Sequence, residues 1–173
     1  MTNIIERAVA RAAAKWGGIQ ATAKGQYGVF RRLSEEHREI ASWLRSVATT
    51  SDVETRRELW PVLRDALLAH ERAETQEVYP DFEWHPSLVD NVVTHDEDAE
   101  RLQDFVNELE RLGFESHDWQ PTVAKLEALM NAHIEREEEL LFPHVQAVIG
   151  KDRAEELEAR YVATKAAIQR IGP

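Results

Sequence analysis

His70-Glu71-Arg72-Ala73-Glu74, running on to Tyr79-Pro80, and His133-Ile134-Glu135-Arg136-Glu137, running on to Phe142-Pro143, are two copies of one pattern set 63 positions apart. In each copy a Glu follows the His at +4, an aromatic comes at +9 and a proline at +10. Before His70, apolar residues fall at −10, −7 and −3 (Trp60, Leu63, Leu67), and before His133 the same places hold Val123, Leu126 and Met130. Val78 and Leu141 follow at +8. A step of four residues turns only about 40° around a helix, so each His and its Glu lie on the buried stripe.

Each copy is preceded by a helical segment with one more inward-facing histidine. His37 is framed by Phe30, Leu33, Ile40, Leu44 and Val47, and His95 by Leu88, Val92, Leu102, Phe105 and Leu109. The periodicity predicts helices over about 27–48, 53–79, 86–112 and 118–142, with Gly113 as a stop and Pro121 in a first turn. Asp52 or Ser51 is the expected N-cap of the second helix. Pro61 is expected either to kink that helix or to set residues 53–60 apart, and Pro143 to kink or end the fourth. A last helix should follow Gly150. The result is an all-α, up-down-up-down four-helix bundle over 27–149, with an N-terminal amphipathic arm (1–26) and an extra C-terminal helix (150–173).

A buried carboxylate without a partner costs several kcal/mol or neutralises itself. Glu74 and Glu137 both face the core, and no Lys or Arg on these stripes stands near them. A divalent cation supplies the missing charge, and neutral imidazole is a standard ligand for it. With 23 glutamates in 173 residues, one His-x-x-x-Glu pair is expected among seven histidines by chance. Two pairs with matching flanks and endings, each after a single-His helix, are not. His85, between two prolines, and His117, in a Ser-His-Asp turn, are expected in solvent, and His144 at the surface or behind the ligands.

The net charge of −11 argues against a nucleic-acid partner, and no apolar run is long enough for a membrane span. Without cysteine there are no disulfides, thiolate-bound zinc or iron–sulfur clusters. Residues 1–32 carry six basic side chains against Glu6 alone, a balance of +5 that leaves −16 for the rest. That arm is expected to fold onto the acidic bundle or onto a second subunit, with an anionic membrane or acidic partner as the alternative. The stripe Leu157, Tyr161, Ile168 and Ile171 must also be covered, by the bundle as a cap or by a second copy as a homodimer, the cap being preferred. Residues 1–15 lack the apolar core of a secretory signal, so a cytoplasmic location is expected.

At these residues the chain resembles the hemerythrin-like domains of the HHE cation-binding type, over about residues 27–149. The resemblance implies a non-haem di-iron centre, oxo- or hydroxo-bridged, with Glu74 and Glu137 bridging and His37, His70, His95 and His133 as terminal ligands. Oxygen-carrying hemerythrins have a second His four residues after the third-helix His, where this chain has Ala99. Glu71, whose counterpart in the other copy is Ile134, is the expected substitute, with Asp98 and a solvent ligand as alternatives. The arrangement is similar to hemerythrin-like domains of iron-sensing ubiquitin-ligase subunits and of some bacterial peroxide-handling proteins. Exchange of an imidazole for a carboxylate favours the ferric state and weighs against reversible oxygen carriage.

The implied activity is reaction with a small oxidant (dioxygen, hydrogen peroxide or nitric oxide), peroxide disproportionation being the most concrete form. An iron or oxygen sensor acting through a partner is the second reading. A ferritin-like site would need Glu-x-x-His pairs. The residues three before each His include no acid, so that class is excluded.

Overall fold

The computed structural model describes residues 25–172, apart from the side chains of Val89 and Asn91. The basic N-terminal arm (1–26) falls almost wholly outside the described residues. Four helices in up-down-up-down order make the bundle: α1 (Gly28–Thr49), α2 (Val53–Glu77), α3 (Val89–Arg111) and α4 (Trp119–Arg136). A 3-10 turn, Tyr79–Asp81, follows α2. α4 passes through a π-helical turn, Glu137–Leu141, into α5 (Phe142–Ile171). There is no strand among the described residues.

Each helix forms because its apolar residues recur on one stripe. In α1 these are Val29, Phe30, Leu33, Ile40, Leu44 and Val47, all buried. α2 starts at Asp52, whose carboxylate accepts from the Thr55 amide at 3.0 Å. It continues as one helix through Pro61, so residues 53–60 do not form a separate segment. The stripe around Trp60, Leu63 and Leu67 holds that helix against its neighbours despite the lost donor.

Pro143 does not end the fourth helix. The π turn before it shifts the hydrogen-bond register, so Pro143 stands in the first turn of α5, where its missing N–H is not needed. The break comes at Gly150, whose φ of 75° and ψ of 175° are non-helical. α5 therefore has two parts. The first continues the fourth helix of the bundle, and the second turns back and packs against α1 and α2. Gly28 makes this packing close, since a Cβ there would stand 2.4 Å from the Ala154 carbonyl carbon. Ala154, Leu157 and Tyr161 are fully buried and Ile168 partly so, but Ile171 is 88% exposed. The last helix therefore covers the first part of its apolar stripe on the bundle and leaves the end uncovered, contrary to the expectation for the whole stripe.

The core falls into two apolar clusters. One holds Phe30, Leu33, Phe82, Leu88, Phe142, Leu157 and Tyr161. The other holds Leu44, Trp60, Leu63, Leu102, Trp119, Leu126 and Met130. In all four bundle helices the histidines and their glutamates fall in the interval between these clusters. A polar layer is thus closed above and below by hydrocarbon.

Candidate metal centre

Seven side chains meet in that layer: His37 from α1, His70, Glu71 and Glu74 from α2, His95 from α3, His133 from α4 and Glu137 from the π turn. None is more than 4% exposed. His37 Nε2 lies 3.1 Å from Glu137 Oε2, and His133 Nε2 lies 3.3 Å from the same oxygen. His70 Nε2 is 3.2 Å from Glu74 Oε2. His133 Nε2 is 3.6 Å from Glu71 Oε1, and His95 Nδ1 is 4.0 Å from Glu137 Oε1.

Two overlapping groups can each hold a metal ion. One is His37, Glu74, His133 and Glu137, and the other is Glu71, Glu74, His95 and His133. Within each group the donor atoms lie within 4.8 Å of one another. Glu74 and His133 belong to both, and His70 joins through Glu74.

The fit to a cation shows in what these atoms lack. His37 Nε2, His70 Nε2, His95 Nδ1, His133 Nε2, Glu137 Oε2 and both oxygens of Glu71 and Glu74 are buried without a hydrogen bond. Orphaned polar atoms are rare in protein interiors because each costs about 1–3 kcal/mol. Here they come from all seven residues and face one another. Nitrogen and oxygen donors without sulfur suit iron, manganese or zinc.

The outward ring nitrogens, in contrast, are occupied. His37 Nδ1 donates to Glu138 Oε1 at 3.2 Å, and Glu138 also accepts from Arg38 at 3.1 Å. His70 Nδ1 lies 3.1 Å from Glu36 Oε2 and 3.0 Å from the Tyr161 hydroxyl. His95 is turned the other way, with Nε2 3.1 Å from the Thr75 hydroxyl. Asp98 Oδ2 lies 3.9 Å from His133 Nδ1 and accepts from Arg136 at 2.5 Å. Such outer partners fix the tautomer and aim the free lone pair inward.

The charges in the layer are strained. Burial, with Glu137 and Glu71 nearby, pushes Glu74 well above the usual carboxylate range, and burial also raises Glu71. Burial presses Glu137 upward too, but His133 and His37 pull it well below the usual range. Burial lowers His70 to about 3 and His95 to about 4. His133 goes the other way, because Glu137 and Glu71 outweigh its burial. Three carboxylates and four imidazoles in one buried layer have no arrangement of protons that suits them all.

Sequence reasoning brought the seven residues to one place. It put Asp98 among the substitutes for the absent imidazole, but Asp98 stands on the outer side of His133, away from the cluster, whereas Glu71 lies within it. His117 is exposed, and His144 is exposed with only a 3.4 Å contact to Ser87. His85 is half-buried in the turn after Phe82.

Several residues around the cluster carried no readable signal. Glu36 and Glu138 sit beside predicted residues, but nothing in their spacing showed that they turn inward. Tyr79, known only as part of a repeated ending, donates to Glu137 Oε1 at 2.5 Å and stacks on His95 with centroids 3.6 Å apart. Tyr161 donates to Glu36 Oε2 at 2.5 Å, and Lys165 is ion-paired to the same oxygen. Both come from the last helix.

A family model described as the hemerythrin HHE cation binding domain matches residues 29–145. Neither the curated proteins nor the solved structures gave a significant match. The match spans all four bundle helices and every residue of the buried cluster, and the chain belongs to the hemerythrin family of HHE cation-binding domains.

Proposed function

We propose that this is a non-haem di-iron protein that reacts with a small oxidant, and that its reaction is disproportionation of hydrogen peroxide. The ligands in this reading are His37, His70, Glu71, Glu74, His95, His133 and Glu137. The observation that carries it is the set of buried, unpaired donor atoms in two groups that share Glu74 and His133. Two irons, when bound, supply a two-electron couple, which matches the oxidation of one peroxide to dioxygen and the reduction of another to two waters.

The chain's own residues have definite tasks. Glu138, Glu36, Thr75 and Asp98 hold the imidazoles in place from outside. Glu137 reaches toward both sides of the layer, with Oε2 near His37 and His133 and Oε1 near His95. Tyr79 holds that second oxygen with its hydroxyl proton. The two apolar clusters keep bulk water away. Organic substrate is not required.

Metal analysis with peroxide assay tests this directly. The expected result is close to two irons per chain and rapid loss of peroxide from the loaded protein. His70→Ala and Glu137→Ala should each lower iron content, while His85→Ala should not. Equal effects from all three would contradict the assignment.

A second reading, a sensor without turnover, is favoured by the crowding of carboxylates, which makes metal part of the fold's stability. A large rise in melting temperature on iron loading, with no peroxide loss, would select it over the enzyme.

A further inference from the structure

A cleft of about 280 Å³ opens between α2 and α3, and one residue of the donor cluster, Glu71, lines it. Of its lining, Leu68, Glu71 and Leu102 are buried, Ala99 and Gln103 half-buried, and Thr75 and Gln76 exposed. Glu71 is 4% exposed and neither of its carboxylate oxygens has a hydrogen bond. Its Oε1 lies 3.6 Å from His133 Nε2, so one side chain separates cleft from donor cluster. Thr75, beside it, donates to the Glu71 carbonyl at 2.9 Å and accepts from His95 Nε2. Ala99 stands one helical turn beyond His95, and its single methyl group leaves the wall open there.

From this geometry we propose that the cleft over Ala99 is the entrance for the small oxidant and that Ala99 sets its width. This rests on the di-iron reading of the cluster. The outer cleft has room for larger molecules, so discrimination between hydrogen peroxide and organic peroxides with a bulky alkyl group falls at its buried inner end beside Glu71. Leu68 and the stem of Gln103 narrow it on either side.

Another, larger groove among the described residues has a different floor. It holds about 680 Å³ between α1, α2 and the last helix and is lined by Arg32, Glu36, Trp43, Val62, Val162 and Lys165. There Glu36 is engaged at once by Arg32 at 2.8 Å, Tyr161, Lys165 and His70. A ligand entering that groove meets satisfied ion pairs and the outer nitrogen of His70. In the cleft over Ala99 it meets an unpartnered carboxylate of the donor cluster. At the larger groove several satisfied ion pairs stand in the way, whereas at the cleft a single unpartnered side chain, Glu71, does.

The test is nitric oxide binding to the reduced, iron-loaded protein, followed by its visible spectrum. In Ala99→Leu, association and release should both slow by about tenfold while the equilibrium constant stays as in the parent, because a blocked passage changes both rates alike. Iron content and the spectrum before nitric oxide is added should not change. Gln103→Trp, in the cleft lining and outside the donor set, should slow both rates in the same way and carries the test alone if Ala99→Leu fails to hold iron. Val162→Trp in the larger groove should leave the rates unchanged. Parent rates in Gln103→Trp and in iron-loaded Ala99→Leu, or slowing by Val162→Trp alone, would overturn the proposal. A parent protein that takes up no iron would instead sink the di-iron reading. As a second readout, hydrogen peroxide should consume the reduced centre much faster than tert-butyl hydroperoxide. Leu68→Ala, which widens the cleft, should narrow that gap.

Discussion

His70 and His133 hold the same place in a repeated sequence, yet their surroundings pull them in opposite directions. His70 is backed by Glu36, which is itself engaged by Arg32, Tyr161 and Lys165, and burial keeps its ring neutral. Near His133 lie Glu137, Glu71 and Asp98, which outweigh its burial and favour the protonated ring. The paired glutamates differ as well. Glu74 makes no hydrogen bond through either oxygen, whereas Glu137 accepts from Tyr79 and contacts two imidazoles. The two aromatic-Pro endings diverge too. Tyr79-Pro80 lies in a 3-10 turn, whereas Phe142-Pro143 restarts a helix after a π turn. A duplicated segment can thus supply equivalent donors while the rest of the chain makes the two halves unequal.

The largest expected break in this comparison comes from the two glutamates. Both Glu74→Ala and Glu137→Ala should lower iron content. In the metal-free protein, Glu137→Ala should cost about 3 kcal/mol because it strands His133 and Tyr79. Glu74→Ala should cost far less, as no hydrogen bond is lost. Denaturant unfolding of the two apoproteins measures the difference, and equal losses would erase the asymmetry.

Tyr79→Phe comes next. It makes the first ending match the Phe142 of the second, and it removes a hydrogen bond to a buried carboxylate, for a loss of about 2 kcal/mol in the apoprotein. Tyr161→Phe should cost about 1 kcal/mol, since Arg32 and Lys165 still engage Glu36. Its clearer sign should be a change in the visible spectrum of the loaded protein, because the His70 contact is altered.

The smallest effect concerns how the two motif helices begin. Asp52 caps α2 through the Thr55 hydroxyl and amide, while Asp118 makes no side-chain cap at α4. Asp52→Ala should lower the melting temperature by a few degrees, and Asp118→Ala should leave it unchanged. The Thr55 contacts hold the Asp52 pKa below its usual 3.8. The cap's contribution is therefore complete above that value and is lost as pH falls below it, so the two variants should converge in acid.

The bundle was legible because its signal is periodic and local. Trp60, Leu63, Leu67 and then His70 and Glu74 mark one stripe, and a stripe needs only helical geometry to be read. The donor residues were legible for the same reason, being polar groups set on apolar faces. Pro143 was misjudged because a π turn leaves no pattern in composition and changes the rule for where a proline is tolerated. Glu138 was missed for a related reason. On a regular helix it would lie well around from Glu137, but in the π turn both are buried.

Legible from the chain alone were the helices, the polar layer and six side chains that face it (His37, His70, Glu74, His95, His133 and Glu137), since these follow from the fixed angle between successive residues on a helix; at the seventh position Glu71, Asp98 and solvent stayed open. Helix packing settled the outer partners and the openings: Glu36 with Tyr161 and Lys165, Tyr79 on Glu137, Asp98 behind His133, and the cleft beside Ala99. These depend on how helices distant in sequence are turned against one another. That angle is set by the packing of many side chains at once, and no short spacing encodes it.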